Sequence, residues 1–314
     1  MRPSLRGRLL ERRARRTARR VGVVLVYHRI GEYGGASAAL SAEVPSDTFV
    51  RQLAHLAARY RVVPLADLIT AVAERRAGDP FPVALTFDDD LESHASIAAL
   101  ALEEAQLPAT FFLTGVSLEE TRSLWWDDLA QAIDTGALEE PGLPADLVTD
   151  ARAGSVDAVK ALARAVEELP SGIRADVAAR LRAQAGAPRD RGLRVDDIRS
   201  LARAGFEIGF HTLAHDVLVS LPNDALAAAL RDGRAALESA AGAKLSRIAY
   251  PHGRADSRVA SAASASGFVE GYTGAAMPVV PGANRLLLPR YQAAWTLEGL
   301  SFQVAHAVSD GRDA

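Results

Sequence analysis

Residues 82–90 read PVALTFDDD: six residues with no charge run directly into three consecutive carboxylates. An apolar run of this length, bounded by polar residues, is the pattern of a strand buried on both faces in a parallel sheet. The same pattern occurs upstream, where VGVVLVY at 21–27 ends in His28, Arg29 and a loop carrying Gly31, Gly34 and Gly35. Downstream, the segments 109–113, 206–210 and 247–250 read as strands. Between them, helices are expected over 96–105, 196–204, 224–240 and 257–266. A further helix begins at Ser46, with Phe49, Leu53, Leu56 and Tyr60 on its apolar stripe and His55 off it, facing solvent. Strands alternating with helices imply βαβ units and an α/β fold.

Chemistry in such folds collects at the carboxyl ends of the strands. Here those ends carry His28, Asp88–Asp90, Thr114, His211 and the pair Pro251–His252. His28, His94, His211 and His215 cluster at or near these positions, whereas His55 and His306 read as ordinary helix residues. The alternation breaks at about 118–194, where Ala/Arg/Glu/Leu-rich runs are split by prolines. This stretch reads as a helical insertion, either over the carboxyl edge or as an outgrowth remote from it. Trp125 and Trp126 at its start offer flat faces to a sugar, or else pack a hinge.

Composition narrows the chemistry. With 49% hydrophobic and 24% charged residues the 314-residue chain is long and apolar enough for a large core, which excludes disorder as its main state. It has no cysteine, so disulfides, thiolate nucleophiles and cysteine-held zinc are excluded, and any metal is held by nitrogen and oxygen. Lys160 and Lys244 are the only lysines, and neither sits in a phosphate-binding loop. The net charge of −3 conceals an asymmetry: residues 1–20 hold nine arginines and one glutamate, leaving 27 of the 36 basic and 38 of the 39 acidic residues in the rest. The arm at 1–20 is a candidate for weak contact with an anionic membrane, or a solvated helical leader; nucleic acid is not an expected partner. The apolar run at 21–26 is too short for a signal peptide or a span, so a cytoplasmic protein is expected, either free or loosely membrane-associated.

Three carboxylates at a buried strand end need a cation or a proton to compensate them. His211 and His215, in HTLAH, follow the strand GFEIGF. Two imidazoles and one carboxylate on neighbouring strand ends can hold a divalent ion with positions left open for water and substrate, and a second carboxylate beside them can act as general base.

These residues resemble the polysaccharide deacetylases of the NodB-homology type, carbohydrate esterase family 4. Thr86-Phe87-Asp88-Asp89 is similar to the family's TFDD motif, and His211-Thr212-Leu213-Ala214-His215 matches its H[ST]xxH motif. VLVYHRI, ATFFL at 109–113, GFEIGFH and AYPHG at 249–253 are similar to the branch that handles exopolysaccharides, over most of 21–290 with 118–194 outside. The resemblance implies a deformed (β/α)7 barrel over 21–314 and removal of N-acetyl groups from an N-acetylated glycan or glycan precursor. It implies Asp88 as general base, Asp89, His211 and His215 as ligands of a divalent metal, zinc above others, and a backbone N–H at Tyr250 meeting the oxyanion. Arg290, in LLLPR, would orient the base as the family's arginine does, or else is a surface charge.

The sequence departs from the family at three points. Asp90 replaces the usual glycine, Ala249 stands where an arginine usually precedes the third motif's proline, and the late histidine that supplies the general acid has no counterpart. His94 is the first substitute for that acid and His28 the second; each can equally be a hydrogen-bonded loop histidine. Two other readings stay open: a different amide or ester hydrolase on the same barrel, and a degenerate module that binds glycan without turnover.

Overall fold

The computed structural model describes residues 5–32, 34–118, 124–139, 142–169, 171–186 and 191–309, with no side-chain description for Leu5 and Ser171. The first four residues of the basic arm and parts of 118–194 therefore lie outside the described residues. Seven parallel strands form a curled sheet: β1 (Val23–Tyr27), β2 (Pro82–Asp88), β3 (Thr110–Leu113), β4 (Glu207–Phe210), β5 (Arg247–Ala249), β6 (Glu270–Tyr272) and β7 (Tyr291–Gln292). Their order is β7-β1-β2-β3-β4-β5-β6, and the two-residue strand Arg61–Val62 adds to the start of β2. With helices around it, this is the deformed (β/α)7 barrel expected from the sequence. β6 and β7 escaped the sequence reading because they are too short, three and two residues, to show a pattern.

Side chains on a strand alternate between faces, and here the alternation decides what reaches the site. Val23, Leu25 and Tyr27, Val83, Leu85 and Phe87, and Phe111 and Leu113 pack with the surrounding helices in the main core. Val24, Ala84, Phe112, Ala249 and Tyr272 point the other way and fill the barrel interior with Leu68, Val279 and Leu288. Continuing that inner series by twos past the strand ends gives His28, Asp88, Thr114 and His211. Gly209 belongs to it as well: a Cβ there would lie 2.4 Å from the Phe112 ring, so the missing side chain makes room for that aromatic.

Among the described residues the helical stretch from Trp125 onward contains four helices, Trp125–Asp134, Ala145–Arg152, Val156–Glu167 and Ser171–Ala185. They bury their own cluster, including Leu129, Ile133, Leu162, Val166, Val177 and Leu181, apart from the barrel core. Two other expectations are corrected. The helix read over 224–240 is two, Asn223–Ala229 and Arg234–Ala241, because Gly233 takes a left-handed φ of 79° against Leu213. His55 is half-buried rather than solvent-facing: it packs on Tyr60, and burial with nearby Arg59 and Arg8 lowers its pKa to about 4. The basic arm is docked: helix Leu5–Arg15 packs on Leu297–Ser309, and its buried Glu11 pairs with Arg59.

Candidate active site

The inner series converges at the mouth of the barrel. Asp88 ends β2 and is buried, and Arg290, 2% exposed, grips it with both nitrogens: Nη1 donates to Oδ1 at 2.8 Å and Nη2 to Oδ2 at 2.7 Å. Burial alone would raise the Asp88 carboxyl, but Arg290, with His211 and His28, holds it below the usual carboxylate range. Arg290 is itself steadied by Thr86 Oγ1 and by the Thr273 carbonyl.

The chain turns sharply after Asp88. Asp89 has a φ of 87°, which swings its carboxylate back toward the interior. Its Oδ1 lies 3.3 Å from Nε2 of His211 and 3.4 Å from Nε2 of His215, and its Oδ2 lies 3.7 Å from Nε2 of His28. His211 is oriented by its other nitrogen, since Nδ1 donates to the Ala249 carbonyl at 2.8 Å. That bond places the proton on Nδ1 and leaves a lone pair on Nε2, facing the carboxylate. Asp89 Oδ1 is buried without a hydrogen-bond partner. Lone pairs of one oxygen and two nitrogens, all within 4.8 Å of one another, thus point at a common space. This donor set fits a divalent cation. In its absence only protons can relieve the cluster: burial disfavours a charged His211, yet Asp88 and Asp89 together raise its pKa.

Asp90 resolves the first departure from the family pattern. It takes the left-handed φ of 51° that glycine ordinarily supplies, is fully buried, and turns away from the three donors. Its carboxylate accepts hydrogen bonds from the amides of Thr114 and Gly115 and from Thr114 Oγ1, stapling the end of β2 to the end of β3. Burial raises its pKa to about 6 against the pull of those donors. The Asp90 carbonyl also accepts from the Leu193 amide, pinning the return of the helical stretch.

Two sequence expectations are corrected. His94 is not in the cleft: it is fully buried between the rings of Phe87 and Phe111, its Nε2 2.9 Å from the His28 carbonyl. Burial lowers its pKa to about 4, so it is neutral near pH 7 and has no line to a leaving group. The Tyr250 amide is spent within the sheet, donating to the Tyr272 carbonyl, and its side chain packs in the helix-side core.

The remaining expected residues do meet. A cleft of about 450 Å³ is lined by His28, Asp88, Asp89, His211, His215, Arg290 and Trp126. Trp126 packs against His215 with the rings tilted by 54° and 4.8 Å between centroids. Sequence reasoning placed His252 at a strand end without giving it a role, and missed Glu167. His252 lines the same cleft with its ring 4.5 Å from His215, and its Nδ1 lies 3.3 Å from Glu167 Oε1 on the helix Val156–Glu167. Its position in AYPHG, just past a strand end, was a usable signal; the partner 85 residues away was not.

A family model for polysaccharide deacetylases matches residues 75–147 and 156–271, more than half of the chain. The chain belongs to the polysaccharide deacetylase family. Only 148–155 of the helical stretch falls outside the match, which corrects the expectation that all of 118–194 is foreign to the family. Among solved structures, the Streptococcus pyogenes deacetylase PplD in complex with acetate aligns with TM-score 0.60 at 16% identity, covering 90% of this chain and 98% of that one. IcaB from Ammonifex degensii aligns with TM-score 0.61 at 17% identity, covering 92% and 97%. A de-N-acetylase from Aggregatibacter actinomycetemcomitans aligns with TM-score 0.52 at 15% identity, covering 86% and 94%. At these identities the likeness is one of fold. No curated protein matches by sequence.

Proposed function

We propose that this deacetylase is a metal-dependent hydrolase that removes N-acetyl groups from an N-acetylated sugar or polysaccharide precursor. The observation that carries the reading is the set of three mutually facing acceptors on Asp89, His211 and His215, beside a carboxylate clamped by arginine. Asp89, His211 and His215 would hold a divalent ion, for which zinc suits the imidazole-rich donor set. Bound there, the ion supplies a Lewis acid for the amide carbonyl and lowers the pKa of water.

The rest falls to the chain's own groups. Asp88, held ionised by Arg290, takes the proton of the attacking water on a carboxylate oxygen. The departing amine needs a proton, and the imidazoles of His28 and His252 line the cleft without belonging to the three-donor set. Trp126, packed on His215, forms an apolar wall for the acetyl methyl or a pyranose face.

The test is acetate release from N-acetylglucosamine oligomers by the purified protein, with a chelator and after restoring zinc. Release that stops with chelator and returns with zinc is the expected result; full release from metal-free protein, or none with any divalent ion, overturns the reading.

The basic arm carries a separate expectation. Arg6, Arg12, Arg13 and Arg16 on or just after helix Leu5–Arg15 are exposed, as is Leu9 at 66%. A surface of this kind suits weak contact with anionic lipid. Among the described residues no helix is long and apolar enough to cross a membrane. Deleting residues 1–20 should weaken sedimentation with phosphatidylserine vesicles at low salt; unchanged sedimentation makes the arm purely a packing element.

A further inference from the structure

Trp295 is 74% exposed, the most exposed large apolar side chain among the described residues. Tryptophan is usually well buried, and this one is not at a frayed end. Its backbone is fixed on both sides: Gln52 Nε2 donates to the Ala294 carbonyl at 2.6 Å and to the Thr296 carbonyl at 3.2 Å. Gln52 is fully buried and its own oxygen accepts from Tyr27 at 3.1 Å. Ala294 donates to Gln303, and Thr296 Oγ1 accepts from the Gly299 amide. A bare aromatic face is thus presented by a loop whose backbone is hydrogen-bonded on both sides of it.

Its placement follows from the sheet. β7 runs parallel to β1 with Val26 beside Gln292, and the Ala293 amide donates to the Val26 carbonyl, so residues 293–296 leave at the same carboxyl edge as His28. Gln292 lines the cleft, and Trp295 follows it by three residues, within about 10 Å of chain. That is about the length of two sugar units. Aromatic faces pack against the apolar faces of pyranoses, and a rigid platform loses little freedom on binding.

We propose that Trp295 is a stacking platform for a sugar outside the catalytic pocket, so that the substrate is an extended glycan chain running from the metal-ligand cluster across Gln292 to Trp295. This rests on the deacetylase reading of the cleft and sharpens it from an acetylated sugar to an oligomer.

The experiment compares wild type, Trp295→Ala and Trp295→Phe on N-acetylglucosamine and its linear oligomers of two to five sugars. In Trp295→Ala, KM for the pentamer should rise about three- to tenfold with kcat unchanged, KM for the monomer should not move, and Trp295→Phe should recover most of the loss. In parallel, the pentamer should shift the tryptophan emission of the wild type to shorter wavelength by more than it does in Trp295→Phe, where only Trp125 and Trp126 of the cleft remain to respond, and the monomer should give the same shift in both. Equal KM changes for all lengths, or no emission change on adding pentamer, overturn the proposal. An emission shift produced by raising protein concentration alone would assign Trp295 to self-association and also overturn it. Absence of acetate release in every variant, with the emission shift intact, sinks the deacetylase reading and leaves the platform standing.

Discussion

The two walls of the strand ends are built from alternate residues of the same strands, yet they behave as different materials. On the outer wall Tyr27, Phe87 and Phe111 stack, with His94 buried among them and its pKa governed by that burial. On the inner wall His28, Asp88, Asp89 and His211 face one another across a cleft. His94 and His211 are both buried histidines near the mouth of the barrel. The first has its pKa pushed down to about 4 by burial; the second is pulled up by two carboxylates despite equal burial. Burial therefore says little about a histidine's role, and the face on which it lies says much.

The largest effect that would test this contrast comes from the inner wall. His211→Ala or His215→Ala should lose bound metal and all measurable acetate release while circular dichroism stays native, because each contributes a lone pair to the cluster rather than packing to the core. Either variant retaining a full equivalent of zinc would break the comparison. Asp88→Asn should keep metal and lose turnover by about 10²–10⁴-fold, since an amide cannot accept the proton. Equal metal loss in Asp88→Asn and Asp89→Asn would merge the two roles.

Arg290→Gln should cost less and be partly recoverable. Removing the guanidinium leaves burial unopposed, so the Asp88 pKa rises and the acid limb of the rate profile moves to higher pH, with activity regained as pH increases. A profile that falls in height without shifting would show that Arg290 does not set the ionisation of Asp88.

The smallest effect on activity is expected on the outer wall. His94→Gln should deacetylate at near wild-type rate and change only acid stability. A buried histidine with folded pKa near 4 and unfolded pKa near 6.5 favours unfolding as pH falls from 6.5 to 4, by about 3 kcal/mol, and contributes no further slope below that. The variant should therefore lose stability less steeply over that window in urea melts. A His94→Gln enzyme with activity abolished and metal retained would put His94 back in the mechanism.

Much of this was legible before any coordinates. The run 82–90 announces a strand and the carboxylates at its end, and HTLAH announces the second strand end with its two histidines. Counting by twos from Ala84 to Asp88 and from Gly209 to His211 selects the inner face. The same count applied to Ala249 puts the Tyr250 side chain on the outer face, but it does not show that the Tyr250 amide is taken up by the Tyr272 carbonyl, because β6 is too short to be read from the sequence. His94 was not decidable in this way, because it lies in a helical turn after Asp88 where the period of two no longer holds. Glu167 was out of reach, because its pairing with His252 depends on how the separately cored helices sit on the barrel. Asp90 looked like a surplus charge, and only its three donors from the end of β3 reveal it as a staple.

The empty space at Gly209 has a reach that its size does not suggest. Phe112 occupies that space, the guanidinium of Arg290 lies 5.5 Å above the Phe112 ring, and the two nitrogens of Arg290 aim the carboxylate of Asp88. A single methyl group added at Gly209 would meet the ring at 2.4 Å and push along this column. The alignment of the Asp88 carboxylate is thus inherited from a hydrogen atom on a neighbouring strand.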